Sequence, residues 1–205
     1  AWRLPLKESI VLPASHCPMC GGPVLPQDNI PVLSYILLSG KCRHCKTPIS
    51  PVYPVVEAYT ALMFVILFLI HGLNIRFISD ALLGCTLVVV CVTDIRHMII
   101  PDRLMFPAGI IASVISILNG FDGVLRAFEG ALSGFLVILF MALMGRLIFK
   151  RESMGYGDFK LVIVTGLFLG PFWNIIALIL AIFIGGFWGI ALMVMNKTEP
   201  TREIP

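Results

Sequence analysis

Two groups of residues in this chain have the types and spacing to do chemistry. The first is four thiols: Cys17-Pro-Met-Cys20 and Cys42-Arg-His-Cys45 are C-x2-C knuckles separated by 21 residues. Each knuckle turns tightly enough to present two thiolates to one ion, and two knuckles close a tetrahedral site with no position left open for a substrate. The spacing therefore predicts a structural zinc site in preference to disulfides, with His16 and His44 beside the ligands but not among them. The second group is two carboxylates at the borders of apolar runs. Asp158 lies in Met154-Gly-Tyr-Gly-Asp-Phe-Lys160, where Gly155 and Gly157 permit turns and close approaches that side chains forbid. Asp94 lies in Val92-Thr-Asp-Ile-Arg-His97, 64 positions earlier. Each has an ordinary reading, Asp158 as a helix cap and Asp94 as an interfacial charge or a partner of Arg96 or His97. Taken together they suit a dyad, in which two carboxyls share a proton, one activating a water and the other polarising a carbonyl.

The elements that must position these groups are membrane helices. Hydrophobic residues make up 58% of the 205 positions and charged residues 13%, and the mean hydropathy is +0.95. No soluble core of this length needs so much apolar surface. The formal net charge of +3 gives no reason to expect a nucleic-acid partner. Residues 1–54 are polar, Pro-rich and hold four of the six cysteines, which marks them as a soluble domain. Residues 55–195 read as a transmembrane domain and 196–205 as a polar tail. Five polar breaks divide 55–195 into six apolar runs, at about 55–71, 78–96, 104–119, 127–148, 160–173 and 175–195. The fifth run is short, so it is tilted, re-entrant, or joined to the sixth through a kink at Pro171. The fold class expected is thus an all-α polytopic bundle of about six spans carrying a small four-cysteine domain. If all six runs cross, thirteen of the fifteen Lys and Arg fall on one side, and only Arg76 and Arg126 on the other. By the positive-inside rule the cysteine domain, the breaks near Asp94 and Asp158, and the tail face the cytoplasm. Both carboxylates then lie at the cytoplasmic membrane edge.

Other polar residues read more plainly. Asp102 after Pro101 suits a helix cap or surface charge. Glu57, Asp80 and Glu129 are expected in the first turns of their spans, and Glu57 is placed to hold the cysteine domain against the bundle. The stretch Ile30–Leu38 is too short to span and either packs within the cysteine domain or rests on the membrane surface. Cys85 and Cys91 read as small apolar fillers. Gly130/Gly134, Gly166/Gly170 and Gly185/Gly189 each make a GxxxG, a spacing that permits close helix contact.

The set as a whole resembles the type IV prepilin peptidases, also called prepilin leader peptidases. The resemblance rests on Arg3-Leu4-Pro5, the two knuckles, Asp28-Asn-Ile-Pro-Val-Leu-Ser-Tyr35 between them and Pro48-Ile-Ser-Pro-Val-Tyr-Pro-Val-Val-Glu57 after them. It continues through Asp94, Ile100-Pro101-Asp102 and the GxGD of Gly155-Tyr-Gly-Asp158-Phe-Lys160. It implies that Asp94 and Asp158 are the catalytic aspartates of a GxGD-type membrane aspartic protease, with Gly155, Gly157 and Lys160 as the supporting loop. It implies structural Zn2+ on Cys17, Cys20, Cys42 and Cys45. It also implies prepilin and pseudopilin substrates, cleaved of a basic leader on the cytoplasmic side of a bacterial inner membrane. The new N-terminus is then methylated from S-adenosyl-L-methionine, and the residues that bind this donor are not identified. Members begin with a further apolar helix before the Arg-Leu-Pro, so one is expected upstream here. Lys46 departs from the pattern, standing after Cys45 where glycine is usual. Two other function classes stay open on the residues alone: an ion or proton transporter using the membrane-edge aspartates, and a noncatalytic zinc-containing secretion scaffold.

Overall fold

Apolar helices that hide little of themselves dominate the computed structural model, which describes residues 15–150 and 155–194. The expected tail at 196–205 and the motif residues Arg3-Leu4-Pro5 and Met154 lie outside the described residues. A 3-10 turn at Pro26–Asn29 precedes α1 (Leu33–Leu37). After it come α2 (Val52–His71), α3 (Ile75–His97), α4 (Asp102–Leu118), α5 (Gly120–Phe149) and α6 (Tyr156–Val194). Helices α2, α3, α5 and α6 are long and apolar enough to cross a membrane. Helix α4, with 17 residues and Pro107 inside it, is shorter. No residue of α2 is buried, and Leu69 and Ile70 are 76% and 67% exposed. Such a helix is at home only where the solvent is itself apolar, with its backbone bonds satisfied internally, so the chain is a membrane protein. The described residues fall into two compact units that divide between Val88 and Val89, inside α3.

All six apolar runs are helical, and the fifth and sixth are joined in α6. Gly170 interrupts that helix at φ 73, ψ 176, a backbone that favours glycine, and Pro171 follows without an N–H to donate. The interruption is a reversal and not a mild bend. Asn174 donates through Nδ2 to the Val162 carbonyl at 3.3 Å and accepts through Oδ1 from the Thr165 hydroxyl at 2.9 Å. Along a straight helix, twelve residues separate two groups by about 18 Å, beyond the reach of an asparagine. Residues 156–169 and 171–194 are therefore two arms folded back on each other.

Helix α5 packs against this hairpin through glycine. A Cβ on Gly130 would come 2.2 Å from the Gly166 carbonyl oxygen, and one on Gly166 would come 2.4 Å from that of Gly130. Gly134 meets Val162 and Asn174 as closely. The first two GxxxG pairs thus grip each other, backbone against backbone, whereas a Cβ on Gly185 would meet open space.

The helices start earlier than hydropathy suggests, which corrects three expectations. Glu57 and Asp80 are the sixth residues of α2 and α3, and Glu129 is the tenth of α5, so none lies in a first turn. Hydropathy marks where lipid begins, and a helix extends into the polar border because its backbone bonds form there equally well. Asp80 pairs with His71 across the α2–α3 turn at 3.0 Å. Glu57 ties the segment before α1 to α2: its carboxylate accepts from the Val32 N–H at 2.7 Å. Val32 sits at φ 61, a strained position for a β-branched residue, just before α1. In α1 and beside it, Ile30, Leu33, Ile36 and Leu37 stay exposed, while Tyr35 packs inward and its hydroxyl donates to the Ile49 carbonyl at 3.4 Å.

Candidate functional site

The two cysteine knuckles are built alike, residue for residue. The Cys17 N–H bonds the Gly22 carbonyl at 2.9 Å and the Gly21 N–H bonds the Cys17 carbonyl at 2.9 Å. In the second knuckle the Cys42 N–H bonds Thr47 at 2.8 Å and the Lys46 N–H bonds Cys42 at 3.0 Å. Each turn is closed by a single β-bridge, His16 with Pro23 and Lys41 with Pro48. A bidentate pair, Arg43 Nε and Nη2 to the Asp28 carboxylate at 2.7 and 2.6 Å, ties the second knuckle to the segment between them. The Arg43 guanidinium holds the Asp28 carboxyl below its usual range. Gly22 leaves room for the His44 ring, which a Cβ there would meet at 3.1 Å.

This framework brings Cys17, Cys20, Cys42 and Cys45 together with all four Sγ atoms within 4.8 Å of one another, and the Cys17 and Cys45 sulfurs 3.8 Å apart. Tetrahedral thiolate sites with metal–sulfur bonds of about 2.3 Å have sulfur–sulfur edges of about 3.8 Å, so the four thiols fit a metal ion. None of them is in a disulfide. Their protonation is divided: the Thr47 hydroxyl and backbone N–H bring Cys45 down to about 6. At Cys20 the Gly22 amide favours the thiolate, but desolvation with the neighbouring Cys45 and Cys17 outweighs it and pushes the thiol up to about 11. A cation is what lets all four ionise together.

The carboxylates are set by three helix ends. Helix α3 stops because Met98 turns left-handed, at φ 52, and its N–H bonds the Asp94 carbonyl at 2.8 Å, leaving Asp94 in the last turn. Pro101 is extended and opens α4 at Asp102. Asp158 is the third residue of α6 and its Oδ2 accepts from the Gly155 N–H at 3.3 Å, reaching back to the helix start as the acidic member of a capping box does. Capping and chemistry are therefore compatible uses of this side chain. Asp94 lies within electrostatic reach of Asp158, and both are partly buried. A small core one turn below holds the ends in register: Val90 from α3, Met105 and Ala108 from α4, and Val164 from α6, with Ile100 and Leu161 packed on it.

The two glycines of the loop do different things. A Cβ on Gly157 would come 3.1 Å from the Ile100 side chain, so the loop lies directly on the Ile100-Pro101-Asp102 corner. At Gly155 a Cβ would meet nothing nearer than 3.8 Å. Lys160 does not need to answer Asp158: its Nζ is 2.5 Å from Asp102 Oδ1. It also stands at one end of an apolar groove of about 500 Å³ between α4 and α6, lined by Phe106, Ile110, Val114, Ile163 and Leu167.

Sequence reasoning read Asp102 as a cap or surface charge and passed over Asn174. Asp102 does begin α4, but it is also the partner of Lys160. Asn174, 1% exposed, is hydrogen-bonded to Val162, Thr165 and, at 3.1 Å, the Gly130 carbonyl. The signal was available: an Asn and a Thr inside an otherwise apolar run must find partners within the protein.

Fold and site define a class, an all-helical membrane protein that joins a four-thiol metal-binding module to a pair of carboxylates at helix ends. Comparison with known proteins narrows it. Residues 1–71 match the family described as the bacterial peptidase A24 N-terminal domain, and residues 81–190 the type IV leader peptidase family. Among curated relatives, the prepilin leader peptidase/N-methyltransferase of Aeromonas hydrophila is 36% identical over 84% of this chain and 59% of its own length. That of Myxococcus xanthus strain DK1622 is 36% identical over 82% of this chain and 50% of its own length. That of Klebsiella pneumoniae is 32% identical over 82% and 76%. The chain belongs to the type IV leader peptidase family. It spans about three fifths of the length of the Aeromonas relative, and no solved structure matches it.

Proposed function

We propose that this chain carries the aspartic peptidase centre of a prepilin-processing enzyme, with Asp94 and Asp158 as its catalytic pair. The observation that carries the proposal is that the ends of α3 and α6, far apart in sequence, bring these two carboxylates within electrostatic reach at one end of their helices. One aspartate takes a proton from a water, whose oxygen attacks the scissile carbonyl. The other, protonated, donates to the carbonyl oxygen, and the departing amine collects a proton as the C–N bond breaks. No covalent intermediate forms. The substrates are type IV prepilins and pseudopilins, cut after a basic leader at the cytoplasmic face of the inner membrane. The basic residues flanking the Asp94 and Asp158 helix ends support that orientation by the positive-inside rule. The apolar groove beginning at Lys160 is at the right depth for the apolar segment that follows the cut.

In this reading residues 1–54 form a cytoplasmic zinc-binding domain, 55–195 the peptidase and 196–205 a cytoplasmic tail. Zn2+ on Cys17, Cys20, Cys42 and Cys45 is structural, because four thiolates leave it no open position. N-methylation of the new terminus, with S-adenosyl-L-methionine as donor, rests on the relatives' names and the resemblance.

The test is cleavage of a prepilin in liposomes by the full-length protein and by its Asp94→Asn and Asp158→Asn variants. Wild type cuts and neither folded variant does. Normal cleavage by either variant makes that aspartate structural and removes the dyad.

A further inference from the structure

The turn between α3 and α4 and the start of α6 are joined by contacts that a dyad by itself does not require. Asp94 and Asp102 flank this turn, Asp94 on the last turn of α3 and Asp102 as the first residue of α4. Lys160, two residues past Asp158, reaches across to Asp102 at 2.5 Å, and Gly157, the residue before Asp158, lies against Ile100 in the same corner. From these contacts we propose that the Asp102–Lys160 ion pair is a latch that positions Asp158 against Asp94, so that its two members are positioning residues for the peptidase centre. This deepens the reading above and rests on it.

Three features favour a positional role over mere surface decoration. The pair joins residues 58 positions apart, so it fixes tertiary placement and not local helix structure. It adds a charged tie to the apolar ones: Val90, Met105 and Val164 pack one turn below with Ile100 and Leu161 on them, and the ion pair joins the first residue of α4 directly to the start of α6. The Gly155–Asp158 bond at 3.3 Å is long, and both its partners belong to the α6 start, so it cannot set the distance to α3. The ion pair can. At 41% and 53% exposure its members contribute little to stability, as exposed pairs do, yet a carboxylate displaced by about 1 Å can cost about 100-fold in rate.

The test compares Asp102→Asn, Lys160→Met, Lys160→Arg and the charge-reversed double variant Asp102→Lys/Lys160→Asp in the prepilin cleavage assay. Each unlatched single variant is expected to lose about 10- to 100-fold in kcat, and Asp102→Asn, which lies outside the groove lining, to keep KM within about twofold of wild type. Lys160→Arg and the reversed pair are expected to regain at least half of the lost activity on a logarithmic scale. Thermal unfolding in detergent is read alongside, and all variants are expected within a few degrees of wild type. Wild-type kcat in both single variants overturns the latch. So does a loss that appears in KM alone, or a folded reversed pair no better than the singles. Asp94→Asn and Asp158→Asn run beside them: if those cut normally the dyad itself has failed, whereas if they are inactive and the latch variants are not, only the latch has.

Discussion

In the cysteine cluster each knuckle is shaped by backbone bonds that run no more than five residues along the chain, Cys17 to Gly22 and Cys42 to Thr47, and the Arg43–Asp28 pair, 15 residues apart, ties the second knuckle to the segment between them. In the carboxylate pair the partners are 64 positions apart, and their meeting depends on three helix ends, a four-residue core and the Gly157–Ile100 contact. The first is closed and points its donors at one another. The second joins the end of one apolar helix to the start of another, and among the described residues Asp158 accepts a long backbone bond from Gly155 at 3.3 Å. A closed set of four soft donors suits a structural ion, and a pair of acids suits a reaction, so the two halves of the chain should respond to damage independently.

The largest expected effect separates them directly. Asp94→Asn and Asp158→Asn should each lower prepilin cleavage by about 1,000-fold or more, given what a positioned acid or base contributes, with the metal content unchanged. Elemental analysis of the purified variants beside the cleavage assay checks both halves of that statement. The reverse cut is metal removal. Chelation, or Cys17→Ser, should leave the transmembrane helices intact in far-ultraviolet circular dichroism but make residues 15–50 sensitive to limited proteolysis, since structural metal binding contributes about 10 kcal/mol to folding in small thiolate modules. If the cysteine variants also melted α5 and α6, the independence would be lost.

Smaller effects sharpen the account of how the second half is held. Gly166→Leu drives a side chain into the Gly130 backbone, where even a Cβ arrives at 2.4 Å from oxygen, and should cost about 3 kcal/mol in thermal unfolding in detergent. Asn174→Leu removes the partner of Thr165 and of two carbonyls at the α6 hairpin and should cost about 2 kcal/mol, with cleavage falling only as far as the fold does. Equal stability of Asn174→Leu and wild type would mean the hairpin is held by apolar packing alone.

These residues also mark where sequence was readable. The four thiols were legible because a knuckle is a local object: residue type, spacing and a following Gly or Pro already specify the turn. Asp94 and Asp158 could be picked out as costly charges at apolar borders, but spacing says nothing about distance between helix ends 64 residues apart. Helix existence was legible from hydropathy and helix starts were not, which moved Glu57, Asp80 and Glu129 inward. Pro171 announced a break in α6, but the full reversal depends on Asn174 finding Val162, a tertiary bond no periodicity displays. The Asp102–Lys160 pair was hidden in the same way, each residue having a sufficient local excuse.

The finest prediction sets one knuckle against the other. Their hydrogen bonds superpose in order, so Gly21 and Lys46 hold the same place, and both are left-handed, at φ 67 and φ 59. Glycine adopts that backbone freely, whereas lysine has a Cβ that strains it by about 1 kcal/mol. Nothing lies within 4 Å of a Cβ on Gly21, so Gly21→Ala introduces this strain and no clash. Lys46→Gly removes it and also removes a side chain that makes the unfolded loop stiffer, which offsets part of the gain. In competition titrations with a chromophoric chelator, Gly21→Ala should therefore weaken metal binding by about fivefold, and Lys46→Gly should strengthen it by less than that. If both substitutions change affinity equally and in opposite senses, the backbone angle alone governs the knuckles. If Lys46→Gly weakens binding, the lysine charge beside Cys45 is stabilising its thiolate, and the departure from glycine at this position is a gain in electrostatics set against a cost in conformation.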